Sequence, residues 1–269
     1  MKNSAFTKEH LLYLSSVRRK NFAVIFSRAL ILISLLFVWE LAARLEWVNP
    51  FVTSSPSRVA KTLRDLYLAG TLFYHIGVTL FETLLGFFIA VFGGYLLALL
   101  LWWSEGARRT AEPYLVVINA LPKIALGPLV IIWFGTGKEA IICMTVLVGI
   151  IVATMNMLGG FMATDENKLL LLRSLGAKKI QILTKLVIPS SMPTFISMLK
   201  ISVGMAWIGS IMGEYIVSKA GIGYLIVYGG QVFKLDLVMA SVFVLCVLAA
   251  GMYAIVAAIE KIVVKSRES

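Results

Sequence analysis

The sequence predicts an all-α integral membrane protein of about six transmembrane helices, and three observations carry that prediction. Of the 269 residues, 59% are hydrophobic and only 14% charged, with a mean hydropathy of +0.90, whereas soluble domains hold roughly 45–50% apolar and about 25% charged residues. Apolar runs of spanning length recur along the chain; each helical crossing needs about 20 such residues, so about six crossings with short connections use up the length. The net charge of +11 sits between those runs and not on a soluble surface with exposed aromatics, as it does in nucleic-acid binders. A water-soluble globule is excluded, because so few charges cannot cover so much apolar surface. No nucleic-acid partner is expected.

In chain order, residues 1–21 form a tail that ends in Arg18-Arg19-Lys20, and the first run, Phe22–Leu45, follows. That run is too long for a signal-peptide core and has no small-residue cleavage site, so it stays as a span. The other runs are His75–Trp103, Tyr114–Phe134, Ala140–Ala163, Ser191–Val217 and Phe233–Val264. Trp47, Trp102, Trp103 and Trp133 fall near span ends, where interfacial aromatics collect. Residues 22–264 therefore read as one transmembrane domain with a core of about 72–262, and 265–269 as a second tail. Cys143 and Cys246 both lie inside apolar stretches, which argues against a disulfide framework or a metal site.

Orientation follows from the basic residues. With the N-terminus inside, fifteen Lys and Arg flank the spans on that side and six on the other. By the positive-inside rule both termini are cytoplasmic and the number of crossings is even. On the outer side, Asn49–Thr71 carries Val59, Leu63, Leu66 and Tyr67 at helical spacing behind Ser55-Pro56-Ser57. It reads as an interfacial amphipathic helix in which Ser55 or Ser57 caps and Pro56 suits the first turn. Ser218–Gln231, glycine-rich yet apolar, reads as a reentrant or gate-forming turn.

The cytoplasmic loop 164–190 is the most informative stretch. Apolar residues recur at helical spacing on both sides of Gly176, so two short amphipathic helices are expected to meet at a glycine that permits a sharp turn. The pair is too short and charged to cross the bilayer and too apolar to be left in water, so a partner should cover it.

Here the chain resembles the permease subunits of binding-protein-dependent ABC importers. Their signature loop runs Glu-Ala-Ala, three residues, Gly, nine residues, Ile, one residue, Leu-Pro. Gly176 matches, Leu186 stands for the Ile, and Ile188-Pro189 for Leu-Pro, while Leu170, Leu171 and Leu172 replace Glu-Ala-Ala. Arg173-Ser174-Leu175-Gly176-Ala177 keeps the rest of the match. Further stretches resemble the nitrate/sulfonate/taurine branch, which includes permeases for thiamine-type pyrimidine precursors. They are Pro56–Val59, Gly86-Phe87, Leu121–Leu129, Trp133–Gly137, Ala206-Trp207, and Gly213-Glu214 leading to Gly221–Ile226. The resemblance runs from about Trp39 to the sixth span.

It implies a type I ABC importer permease fold in a bacterial cell (inner) membrane, working as a homodimer with a separate ATPase and an extracytoplasmic substrate-binding protein. ATP and Mg would be held by the ATPase, with no cofactor in this chain. The helix around Gly176 would be the coupling helix: Leu175, Ile180 and Leu183 would supply its apolar face, Lys178 and Lys179 would meet acidic groups at the rim, and Pro189 would restart the chain into the next span. The cargo implied is a sulfonate, taurine or nitrate-like anion, or alternatively a heteroaromatic vitamin precursor.

Ionisable groups inside spans are candidates for function because their burial is costly. Pro122 and Lys123 in the third span are candidates for a pathway or gate, or for a simple bend. Lys123 mildly favours an anionic cargo. Glu82 could pair with Lys123 or His75, and Glu214 reads as a structural or gate contact. Lys200 is expected to snorkel to headgroups, and Gly86, Gly93, Gly94, Gly204, Gly209 and Gly213 to permit close helix packing. No phosphate-binding Gly-x-x-x-x-Gly-Lys-Ser/Thr run occurs, so ATP hydrolysis by that route is absent, and His10 and His75 are too isolated for a metal site. A secondary transporter would show a coupling-ion site and repeats, and an intramembrane enzyme paired polar residues at mid-span; neither pattern is visible.

Overall fold

The computed structural model describes residues 8–268, with side chains at 19, 22–24, 26–49 and 51–262. Residues 1–7 of the expected N-terminal tail, the His10 side chain and Ser269 lie outside the described residues. The chain divides into two compact units, one ending at Thr62 and one beginning at Leu63.

In the first unit, α1 (Lys8–Arg44) carries the first span without a break. Its side chains at 22–24 and 26–38 stand exposed, as befits a helix that is apolar all round. A polar corner ends it. Glu40 pairs with Arg44 at 2.7 Å and accepts from the Ser57 amide at 3.0 Å and the Ser57 hydroxyl at 2.9 Å. Trp39 Nε1 donates to the Thr53 carbonyl at 3.3 Å, holding α2 (Pro50–Thr53). The expected amphipathic helix is α3 (Pro56–Leu68), where Ser55 Oγ accepts the Arg58 amide at 3.4 Å and so fills the cap.

The second unit is built on α4 (Leu72–Trp103), α7 (Lys138–Met162) and α11 (Met192–Val217). These three helices pack tightly because glycines remove side chains where they cross. A methyl on Gly209 of α11 would come within 2.6 Å of Thr145 Cα and 3.2 Å of the Met144 carbonyl on α7, and Gly86 of α4 meets the other side of Thr145. Gly94 and Gly213 touch α7 in the same way. Gly204 is the exception: a methyl there meets nothing within 4 Å, so it serves no packing role within this chain.

Among the described residues five helices are long and apolar enough to span, and a pair bent by 89° makes a sixth crossing if it is counted as one broken span. The bent pair is α5 (Glu105–Ala120) and a 3₁₀ turn, Lys123–Leu126, leading to α6 (Gly127–Phe134). It replaces the single straight run expected over Tyr114–Phe134. The cause is local: a residue before proline is pushed out of the helical region, and Leu121 is extended at ψ 134°. The remaining elements are α8 (Glu166–Ser174), α9 (Lys179–Ile182), a π-helical turn Leu183–Val187, α10 (Ile188–Ser190), α12 (Ile222–Gln231) and α13 (Leu235–Glu268). Lys200 differs from expectation as well. Its ammonium donates to Glu260 Oε2 at 2.5 Å and ties α11 to α13 instead of reaching for headgroups.

Candidate functional site

Two polar constellations stand at opposite ends of the α4–α7–α11 bundle. The first is the loop around Gly176. Asp165 caps α8 by accepting the Asn167 amide at 2.9 Å. At the other end Gly176 takes φ +75°, its amide reaches the Arg173 carbonyl at 3.0 Å, and the Ala177 amide reaches the Leu172 carbonyl at 3.0 Å. This is a Schellman stop, for which a left-handed glycine is the favoured residue. Leu172 and Ala177 both pack on the main core beside Ile182, Leu183 and Val187. The turn therefore has a fixed shape. Gln181 secures the start of α9 by accepting the Lys178 amide at 2.7 Å.

The loop's outer face is left bare. Leu175 is 72% exposed, Ile180 51%, Leu170 59% and Leu171 60%. Ser174 and Lys178 are exposed around them, as is Pro189 at the start of α10. Two expectations need correcting here. Leu183 is buried, because the π-helical turn directs it with Ile182 into the chain's own core, so it is not part of the bare face. Lys179, though exposed, is not free for a rim contact either: its ammonium donates to the Trp103 carbonyl at 2.5 Å and lies over the rings of Trp102 and Trp103, 5.7 and 5.3 Å from their centroids. The carbonyls at the end of α4 lack partners within the helix, and a cation there complements the helix dipole. Arg173 faces a cleft of about 480 Å³ that is also lined by Trp102, Arg108 and Lys179.

Replacing Lys179 with Met should keep the stem but free the loop from α4. Hydrogen exchange of amides 178–183 is expected to speed up several-fold, with no change in α7; unchanged exchange would show that the ammonium does not anchor the loop.

The second constellation holds the start of α12, within the expected reentrant segment Ser218–Gln231. A helix leaves its first amides without intrahelical partners, and here side chains of two other helices supply them. Gly221, at φ +111°, donates to His75 Nδ1 at 3.0 Å, and Ile222 donates to Thr79 Oγ1 at 2.7 Å, both on α4. Gly223 and Tyr224 donate to Glu214 Oε2 of α11 at 2.6 and 3.2 Å. The rings of His75, Tyr224 and Tyr228 stack in sequence, with centroids 6.1 and 5.9 Å apart.

Glu82 is 3% and Glu214 1% exposed, and the two face each other within hydrogen-bonding reach. Glu82 thus meets a second carboxyl, not Lys123 or His75. One turn along, Thr83 and Ser210 hydroxyls bond at 2.7 Å in the buried seam. Pro122 and Lys123 stand apart at the break of the bent pair, where Lys123 donates to the Asn119 carbonyl at 3.0 Å and closes the end of α5.

Sequence reasoning missed Thr79, Thr83, Ser210 and the capping role of His75. The signal was present: His75, Thr79, Glu82 and Gly86 recur at the spacing of one helix face. Among the described residues no His, Cys, Asp and Glu cluster of three or more could hold a metal.

With this geometry in place, comparison with known proteins gives a consistent answer. Residues 86–268 match the family described as binding-protein-dependent transport system inner membrane component. The formylaminopyrimidine transport permease protein of Halalkalibacterium halodurans is 31% identical over 240 residues, 89% of this chain and 95% of that protein. The taurine transport system permease protein of Escherichia coli is 26% identical over 220 residues, 80% of each chain. Among solved structures, a chain of the bacterial alginate ABC transporter in complex with alginate pentasaccharide-bound periplasmic protein superposes with a TM-score of 0.60 at 17% identity, over 91% of this chain and 92% of that one. The fold, the multiple apolar spans and the family match together place this chain among the binding-protein-dependent transport system inner membrane components: it is the permease subunit of an ABC importer, a multi-pass inner-membrane protein and not an enzyme.

Proposed function

We propose that two copies of this chain form the translocation pathway, with both termini and the α8–α9 loop on the cytoplasmic side. The loop seats on a separate ATPase subunit that holds ATP and Mg, and this chain carries no cofactor of its own. The observation that carries the reading is the bare apolar face of Leu170, Leu171, Leu175 and Ile180 on a turn of fixed shape. An extracytoplasmic binding protein delivers cargo at the α12 end; the structurally similar bacterial alginate transporter is seen in complex with an alginate pentasaccharide-bound periplasmic protein. There α12, held by Glu214, acts as a gate element, and Glu82 supports it. Pro122 and Lys123 set the bend of the broken span beside the pathway.

The cargo we propose is a small heteroaromatic compound of the pyrimidine type. The relative that transports formylaminopyrimidine shares more identity over more of its length than the taurine permease does. The anion reading leaned on Lys123, whose ammonium is already used to close α5. A sulfonate is the second reading, supported by the taurine relative.

The test is uptake into proteoliposomes that hold this chain with its ATPase, supplied with its extracytoplasmic binding protein. ATP-dependent accumulation of formylaminopyrimidine and not taurine is expected. Accumulation of taurine alone reverses the choice of cargo, and uptake without the ATPase subunit overturns the coupling assignment.

A further inference from the structure

Two carboxyls face each other at the α4–α11 seam, and their hydrogen bonds do not add up if both are ionised. Glu214 Oε2 accepts two amides from the start of α12. The other oxygen, Oε1, is buried with no partner, and so is Oε2 of Glu82. Leaving both as bare acceptors would cost the full desolvation of two charged groups, and two carboxylates in contact cannot both hold their charge. The charges around the pair do not resolve this. Lys138 and Glu139 bear on Glu82 with opposite signs from the start of α7, and the Lys138 ammonium sits over the Phe81 ring, 5.8 Å from its centroid. His75 is turned to the Gly221 amide.

We propose that Glu82 and Glu214 hold one proton in common, so that the pair acts as a single negative unit clamping the start of α12 between α4 and α11. One proton satisfies both orphan oxygens at once, since it is donated by one carboxyl and accepted by the other. The remaining negative charge faces the amides of Gly223 and Tyr224, where a helix N-terminus favours an anion. A second proton would remove the negative charge that the amides of Gly223 and Tyr224 favour, and none would leave the orphan oxygens opposed. The close approach of the carboxylate is built in. A side chain at Gly221 or Gly223 would strike Glu214, and Gly221 also sits in the left-handed region. Glu82 and Glu214 are thus positioning residues for the gate element, an assignment of purpose that rests on the function proposed above; the shared proton itself rests on the two buried, unpartnered carboxyl oxygens and on the amides held by Glu214.

Infrared absorption of the purified, lipid-embedded transporter tests this separately from uptake, by counting the deuterium-sensitive carbonyl intensity of protonated carboxyls per chain. Glu82→Gln should remove the intensity of one carboxyl, Glu214→Gln the same amount, and the double variant no more than either single change. Removal of two carboxyls by the double variant would show that each residue carries its own proton. No loss in either single variant would show that both are ionised or that the proton lies elsewhere, and loss in only one would show that it belongs to that residue; each result overturns the proposal. Glu82→Asp keeps both carboxyls and should retain the band at a shifted position, so the test survives if a glutamine variant fails to assemble.

Discussion

Changing Leu175 and Ile180 together to Asp is expected to abolish ATP-coupled uptake while the purified chain stays folded. Both side chains stand exposed on the outer face of the loop, at 72% and 51%, and they contribute nothing to the core beneath. Fully burying a side chain of this size is worth roughly 1.5–3 kcal/mol. Losing two from one docked face removes about 3–6 kcal/mol, which is roughly a hundredfold or greater loss of affinity. The aspartates would add the cost of burying unpaired charge. Pull-down of the ATPase subunit from detergent and stimulated hydrolysis both report the effect, and wild-type binding by the doubly charged variant would show that the ATPase docks elsewhere. Gly176→Val should give a related failure by another route: a β-branched residue held at φ +75° costs on the order of 1–2 kcal/mol and opens the Schellman turn that presents the two side chains.

The second large effect is expected at Gly209. Its missing side chain is where α11 lies against the backbone of α7, so even a methyl, which would stand 2.6 Å from Thr145 Cα, forces the helices apart. Overpacking of this kind costs about 1–3 kcal/mol and at times more, against at most about 1 kcal/mol regained from replacing a helical glycine by alanine. Gly209→Ala should therefore lower the thermal unfolding midpoint by several degrees, and Gly209→Leu should prevent accumulation of folded protein. Gly204→Ala is the internal control, because the same methyl there meets nothing within the chain. A stable, active Gly209→Leu variant would mean that the crossing is not tight.

Much of this was legible from residue order alone. The spans follow from runs of apolar residues, which in lipid must become helices because no water is present to satisfy the backbone. The turn at Gly176 was readable for the same kind of reason, since apolar spacing on either side of a glycine leaves few local alternatives. Lys179 and Lys200 were misplaced for a shared reason. Each side chain is satisfied by a partner distant in sequence: Trp103 lies 76 residues from Lys179, and Glu260 lies 60 residues from Lys200. Composition and spacing describe what a residue needs, and only the packed bundle shows what is within reach. Glu82 illustrates the point most sharply. A buried acid suggests a buried base, and the fold supplied another acid.

The Lys179 anchor makes the loop a two-armed lever. Its backbone runs through the π-helical turn and α10 into α11, while the ammonium grips the last turn of α4. A thrust applied to Leu175 and Ile180 is thus delivered to both helices at once, at the ends far from their two facing carboxyls. Equal displacement would carry Glu82 and Glu214 along as passengers. Unequal displacement would slide one past the other and loosen the amides of α12, so under the function proposed above the difference in travel between the two arms, and not the size of the thrust, would decide whether the far end opens.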